Sequence, residues 1–135
     1  MNYMLDTCTW LRAIGRLEEL NAASRAILSD AANIPFSLSA FSVWEVCTKF
    51  RRKPWELSLT VPLDQWLEIA LNPRFIRVIP VDAEIGRLSN GLVGTFHEDP
   101  ADRIIVATAQ RSCLRILTSD LKIVAYPHVD SLNTR

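Results

Sequence analysis

Asp99–Asp120 reads DPADRIIVATAQRSCLRILTSD. It opens as a helix does, with Asp99 as cap, Pro100 at the first helical position and Asp102 in the third. Apolar spacing predicts a helix over Ala101–Arg111. Leu114–Thr118 is then a short apolar run, too brief for a helix and suited to a buried strand, and Asp120 follows at once. The same order of an apolar run and an acid occurs at Asn2–Leu5, which ends on Asp6. Strands that are nearly continuous apolar runs, alternating with helices, imply an α/β fold with a parallel sheet covered on both faces. In such sheets ligands bind beyond the carboxyl ends of the strands. Asp6 and Asp120 are expected to meet on that rim.

The intervening chain continues the alternation. Helical spacing runs from Leu17 to Leu28, with Ser24 as an internal cap, and Ile34–Leu38 reads as a second strand. Ser39–Phe50 predicts a helix with Val43, Val46, Cys47 and Phe50 on one face. Arg51–Thr60 is a basic loop or arm, Pro62–Leu71 a helix, Phe75–Pro80 a strand, Asp82–Asn90 a helix and Gly91–Glu98 a loop. Asp120 opens a helix through Val124, and His128–Asp130 supplies a last strand. No repeat, low-complexity tract or linker divides the chain, so residues 1–135 are expected to form a single domain.

The 15 Lys+Arg residues balance the 15 Asp+Glu residues. That removes any global field towards nucleic acid or anionic lipid, although a local patch beside a site can still dock a substrate. Hydrophobic residues make up 49% of the 135, enough for a sizeable core. Cys8, Cys47 and Cys113 are odd in number and widely spaced, and read as reduced, buried small hydrophobes. No run is long enough to cross a bilayer and no leader precedes the first strand, so the expected location is the cytoplasm.

Four acids carry the functional reading, and each alone has a structural account. Asp6 and Asp120 can cap the helices that follow them. Glu45 completes a capping box with Ser42, or pairs with Lys49 one turn on. Asp102 sits in the first turn of its helix, where negative charge is favoured. Taken jointly they point elsewhere, because a parallel sheet brings all four together. Crowded carboxylates repel and raise one another's pKa unless a cation intervenes. An all-oxygen set suits Mg2+ or Mn2+, which can activate water and offset charge on a phosphodiester.

Four stretches in this order resemble the PIN-domain ribonucleases, in particular the VapC-type toxins of toxin–antitoxin pairs. They are Met4-Leu5-Asp6-Thr7, Leu38–Val46, His97–Arg103 with the following Ile104–Ala109, and Leu117-Thr118-Ser119-Asp120. The resemblance implies a PIN-like three-layer α/β/α fold with a central parallel sheet. It also implies a Mg2+- or Mn2+-dependent endoribonuclease that hydrolyses RNA and is neutralised by a cognate antitoxin, and a homodimer. Carried over residue by residue, Asp6, Glu45, Asp102 and Asp120 become the metal-site acids, with Asp99 an added acid. Cys8 departs from the pattern, standing where these toxins more often carry Asn, His or another polar residue.

Around these acids the residues keep two readings each. Lys49, Arg51, Arg52 and Lys53, followed by Pro54 and Trp55, either track a phosphate backbone or form a solvated helix end. Arg103 pairs with a carboxylate or with substrate phosphate; His97 is solvated or meets RNA. Trp10, Trp44 and Trp66 read as core or dimer contacts, and the surface near Leu11, Ile14 and Leu17 as a seat for an antitoxin segment or as ordinary core. Two further function classes compete. A catalytically inactive PIN-like binding module is expected to have dropped an acid. A receiver-like phosphoacceptor needs paired acids after an early strand, where Asp6 is single.

Overall fold

The computed structural model describes residues 2–135. Five parallel strands, β1 (Tyr3–Leu5), β2 (Phe36–Ser39), β3 (Ile76–Ile79), β4 (Arg115–Thr118) and β5 (Ser131–Asn133), form one sheet in the order β3-β2-β1-β4-β5. The helices are α1 (Thr7–Gly15), α2 (Ala22–Ser29), α3 (Ala40–Arg52), α4 (Leu63–Ala70), α5 (Ala83–Asn90), α6 (Pro100–Ser112) and α7 (Leu121–Val124). This is the α/β architecture expected from the alternating pattern.

Strand alternation explains the layers. Tyr3 and Leu5 of β1 and Leu117 of β4 face a core with Trp10, Val46, Trp66 and Ala70 from α1, α3 and α4. Met4 and Ile116, one residue out of phase, face the opposite core with Ile105, Val106 and Ile123 from α6 and α7. β1 is thus buried on both sides, and Met4 is 0% exposed. In the register, Leu5 lies beside Leu38 on β2 and beside Leu117 on β4. The residues just past these three strand ends therefore meet on one edge. The edge strands β3 and β5 are more exposed than the central ones, as edges are.

Several expectations need correction. The helix over Leu17–Leu28 is two elements: a 3-10 turn at Leu17–Glu19, then α2. Leu20 turns inward and is buried, and Asn21 caps the new helix by accepting from the Ser24 backbone N–H. Ser24 receives that cap; it does not supply one. α1 was not anticipated as an element beyond the cap that Asp6 provides. The last strand is Ser131–Asn133, not His128–Asp130. None of the cysteines is buried: Cys8 and Cys113 are exposed and Cys47 is intermediate. Cys113 takes the left-handed conformation (φ 53°) that closes α6, which turns its side chain outward. Among the described residues no helix is long and apolar enough to cross a membrane.

Candidate active site

Asp6 ends β1 and caps α1, and both roles fix it. Its Oδ1 accepts from the Thr9 backbone N–H at 2.8 Å, and its Oδ2 accepts from the Thr118 hydroxyl at the end of β4. The Asp6 N–H donates to the Leu117 carbonyl at 3.3 Å, which continues the β1–β4 ladder to the rim. Burial pushes the Asp6 carboxyl up, against these hydrogen bonds and the nearby Arg12 charge.

Asp120 stands two residues beyond Thr118. Its backbone N–H donates to the Thr118 hydroxyl oxygen (3.0 Å) and its carboxylate caps α7 through the Lys122 N–H (2.9 Å). Asp99 caps α6 by accepting from the Ala101 and Asp102 N–H groups at 2.9 and 3.2 Å. That leaves the Asp102 side chain free to face the rim. Cap and site acid are thus divided between two residues of one helix start.

Glu45 lies in the second turn of α3. The expected capping box is absent, because Ser39 caps this helix through the Phe41 N–H. Nor does Lys49 close an ion pair on Glu45. Instead the Thr7 hydroxyl donates to Glu45 Oε1 at 2.5 Å, with Ser42 Oγ 2.8 Å from the same hydroxyl. Burial raises the Glu45 carboxyl, Thr7 opposes it, and the Asp99 charge adds to it.

The four acids come from four separate segments yet line one cleft of about 290 Å³, with Thr7, Cys8, Ile105 and Ser119. Asp102 feels the crowding most. Burial first, then a hydrogen bond with Asp120 and the charges of Asp120, Asp99 and Asp6, push its carboxyl up to about 8. Asp99 is close enough to act through its charge but is not in the wall of the cleft.

His97 departs from the solvated-loop reading. Its ring packs on Phe96 (4.5 Å between centroids), and Nε2 lies 3.0 Å from Asp102 Oδ2, though off the line of a good hydrogen bond. Ligand atoms of His97, Asp102 and Asp120 all fall within 4.8 Å of one another. Arg103 also departs from the carboxylate-pair reading and is held by backbone carbonyls instead. It donates to the carbonyls of Ser89, Phe96 and His97 at 2.8, 2.9 and 3.1 Å. One residue along a helix is a turn of about 100°, so Arg103 is carried away from the cleft and under the loop before α6. Sequence reading passed over Thr7, Arg12 and Thr118. Arg12 donates to Ser119 Oγ at 2.8 Å on the cleft wall. The signal available was position: Thr7 and Arg12 lie on the helix that Asp6 starts, and Thr118 is level with Asp6 in the parallel register.

Residues 3–129 match the family model of the PIN domain. The chain belongs to the PIN domain family. Three solved structures share the fold of this PIN domain. One is VapBC2 from Rickettsia felis bound to a promoter DNA fragment, with TM-score 0.72, 19% identity and 100% of both chains covered. Another is a toxin–antitoxin complex from Klebsiella pneumoniae, with TM-score 0.64, 20% identity, and 97% of this chain and 96% of that chain covered. The third is DNA-bound VapBC from Salmonella typhimurium, with TM-score 0.65, 15% identity and 98% of both chains covered. No curated protein matches this PIN domain in sequence.

Proposed function

We propose that this PIN domain is a Mg2+- or Mn2+-dependent endoribonuclease of the VapC toxin type, restrained by a cognate antitoxin. The observation that carries the reading is the convergence of Asp6, Glu45, Asp102 and Asp120 on one cleft. The fit to a divalent ion rests on the chemistry of the donors. Four carboxylates, three of them with raised pKa values, form an all-oxygen set that a hard cation would neutralise. Asp6, Glu45, Asp102 and Asp120 would hold that ion, which when bound supplies Lewis acidity for activating water and offsetting charge on a phosphodiester. Thr118 and Thr7 orient Asp6 and Glu45, and Asp99 keeps α6 aimed so that Asp102 faces the cleft.

Restraint by an antitoxin is supported by the three related structures, whose names describe toxin–antitoxin or VapBC complexes. An apolar groove of about 790 Å³ on the α1–α2–α4 side offers a seat, lined by Trp10, Ile14, Leu17, Leu28, Ile69 and Phe75. Leu17, Ile69 and Phe75 remain 45%, 56% and 48% exposed there, and such grooves accept the apolar face of a partner segment. A homodimer belongs to the same proposal and is read from particle mass in solution.

The test is cleavage of RNA by the purified protein with Mg2+ or Mn2+. EDTA is expected to abolish it, and Asp6→Asn and Asp102→Asn to remove it with folding retained by circular dichroism. Cleavage that survives EDTA or both substitutions sinks the reading.

A further inference from the structure

A second groove, of about 370 Å³, opens beside the acidic cleft and shares Thr7, Cys8 and Glu45 with it. Its wall is one face of α3. Glu45, Lys49 and Arg52 follow one another at helical spacing and Lys53 caps the helix end, so the cations lead away from Glu45 along the groove. Trp44 lines the same groove and is 58% exposed, with its ring tilted on Phe41 at 5.1 Å between centroids. Of the two readings for Trp44, core or dimer contact, its exposure removes the first. An exposed indole beside three cations offers a flat apolar face next to positive charge. Glu56 offsets the row in part, through an exposed 4.0 Å pair with Lys53. Arg51 points off this face and does not line the groove.

We infer that this groove holds the RNA next to the cut: an unpaired base stacks on Trp44 while Lys49 and Arg52 meet its flanking phosphates. The groove is large enough for such a unit. The row of positive charge suits a phosphate backbone, and a flat aromatic face suits any base exposed from a helix. A paired base cannot present its face to Trp44, so the inference selects single-stranded RNA. It rests on the nuclease reading above, because the groove has meaning as a substrate path only where it joins the acids.

The experiment separates the two. An Asp6→Asn background stops cleavage, and binding of a fluorescein-labelled single-stranded RNA and its duplex is followed by anisotropy in Mg2+ at several salt concentrations. The single strand is expected to bind more tightly than the duplex. Trp44→Ala should weaken single-strand binding by about tenfold with little change in salt dependence. Arg52→Ala should lower the salt slope by about 0.7. Both side chains are exposed, so neither change should disturb folding. If wild-type protein cleaves RNA while both variants bind like the background, the inference falls and the nuclease reading stands. Equal binding of duplex and single strand also overturns it. So does a change of particle mass on Trp44→Ala, which would assign the groove to a second copy of the chain. Absence of both cleavage and binding in the wild type removes both readings.

Discussion

Asp102→Asn separates repulsion within the acidic cleft from the stability of the fold. In the folded protein burial, with help from Asp120, raises the Asp102 carboxyl from 3.8 to about 8. Between those two values the folded state binds more protons than the unfolded chain, so stability falls as pH rises from about 4 towards about 8. Taken whole, that displacement corresponds to roughly 6 kcal/mol at about 1.36 kcal/mol per tenfold change in proton affinity. The cleft is open to water, which screens the charges, so about 2 kcal/mol of penalty is expected above pH 8 without a divalent ion. Asparagine keeps the size and cannot ionise. In thermal unfolding with EDTA, the melting temperatures of wild type and variant should converge only as pH falls below 3.8, where Asp102 is protonated in the unfolded chain as well as in the folded one. At about pH 8.5 the variant should melt higher by roughly 6 °C, at about 3 °C per kcal/mol for a chain of this length. Added Mg2+ or Mn2+ should then raise the wild type more than the variant. A variant that melts below the wild type at high pH in EDTA would refute the claim that repulsion outweighs the local contacts of Asp102.

Three other outcomes follow from the same geometry. Asp6→Asn and Asp6→Ala should both lose cleavage, but only Ala should also cost about 1–2 kcal/mol in chemical denaturation, because it loses the cap on Thr9 and the Thr118 partner. Trp10→Ala should lower the unfolding free energy in chemical denaturation by about 3–5 kcal/mol; Trp10 is 0% exposed, packs tilted on Trp66 at 5.0 Å between centroids, and donates to the Ala70 carbonyl at 3.0 Å. Arg103→Ala should destabilise by about 2–4 kcal/mol by leaving three carbonyls unpaired, while the salt slope of RNA binding stays at the wild-type value; a lowered slope would restore Arg103 as a phosphate contact.

The sheet and the acids were legible because the information is local. A short apolar run followed by an acid, as at Met4-Leu5-Asp6 and Ile116–Asp120, encodes both a strand and what stands past its end. Parallel pairing then brings the two ends together without further detail. What escaped depended on rotation or on partners remote in sequence. Leu17–Leu28 kept helical spacing across a break, because Leu20 is buried in a turn just as it would be in a helix. β5 has little apolar signal of its own and exists through hydrogen bonds to β4, such as the Thr134 N–H to the Thr118 carbonyl at 3.0 Å. Arg103 beside Asp102 suggested a shared task, yet neighbours on a helix point in different directions. Glu45 offered two ready local partners, Ser42 and Lys49, and in the fold is held by Thr7 from another helix.

The place of β1 at the centre of the sheet also bears on how such a chain is made. Asp6 leaves the ribosome early, but its counterpart on the rim arrives only when Arg115–Asp120 has slotted in along β1. Until then the strand has a neighbour on one side only, and the acids remain scattered along a floppy polymer. On the nuclease reading proposed above, activity would therefore stay latent until the last strands join the sheet, and would not follow from the appearance of any single residue.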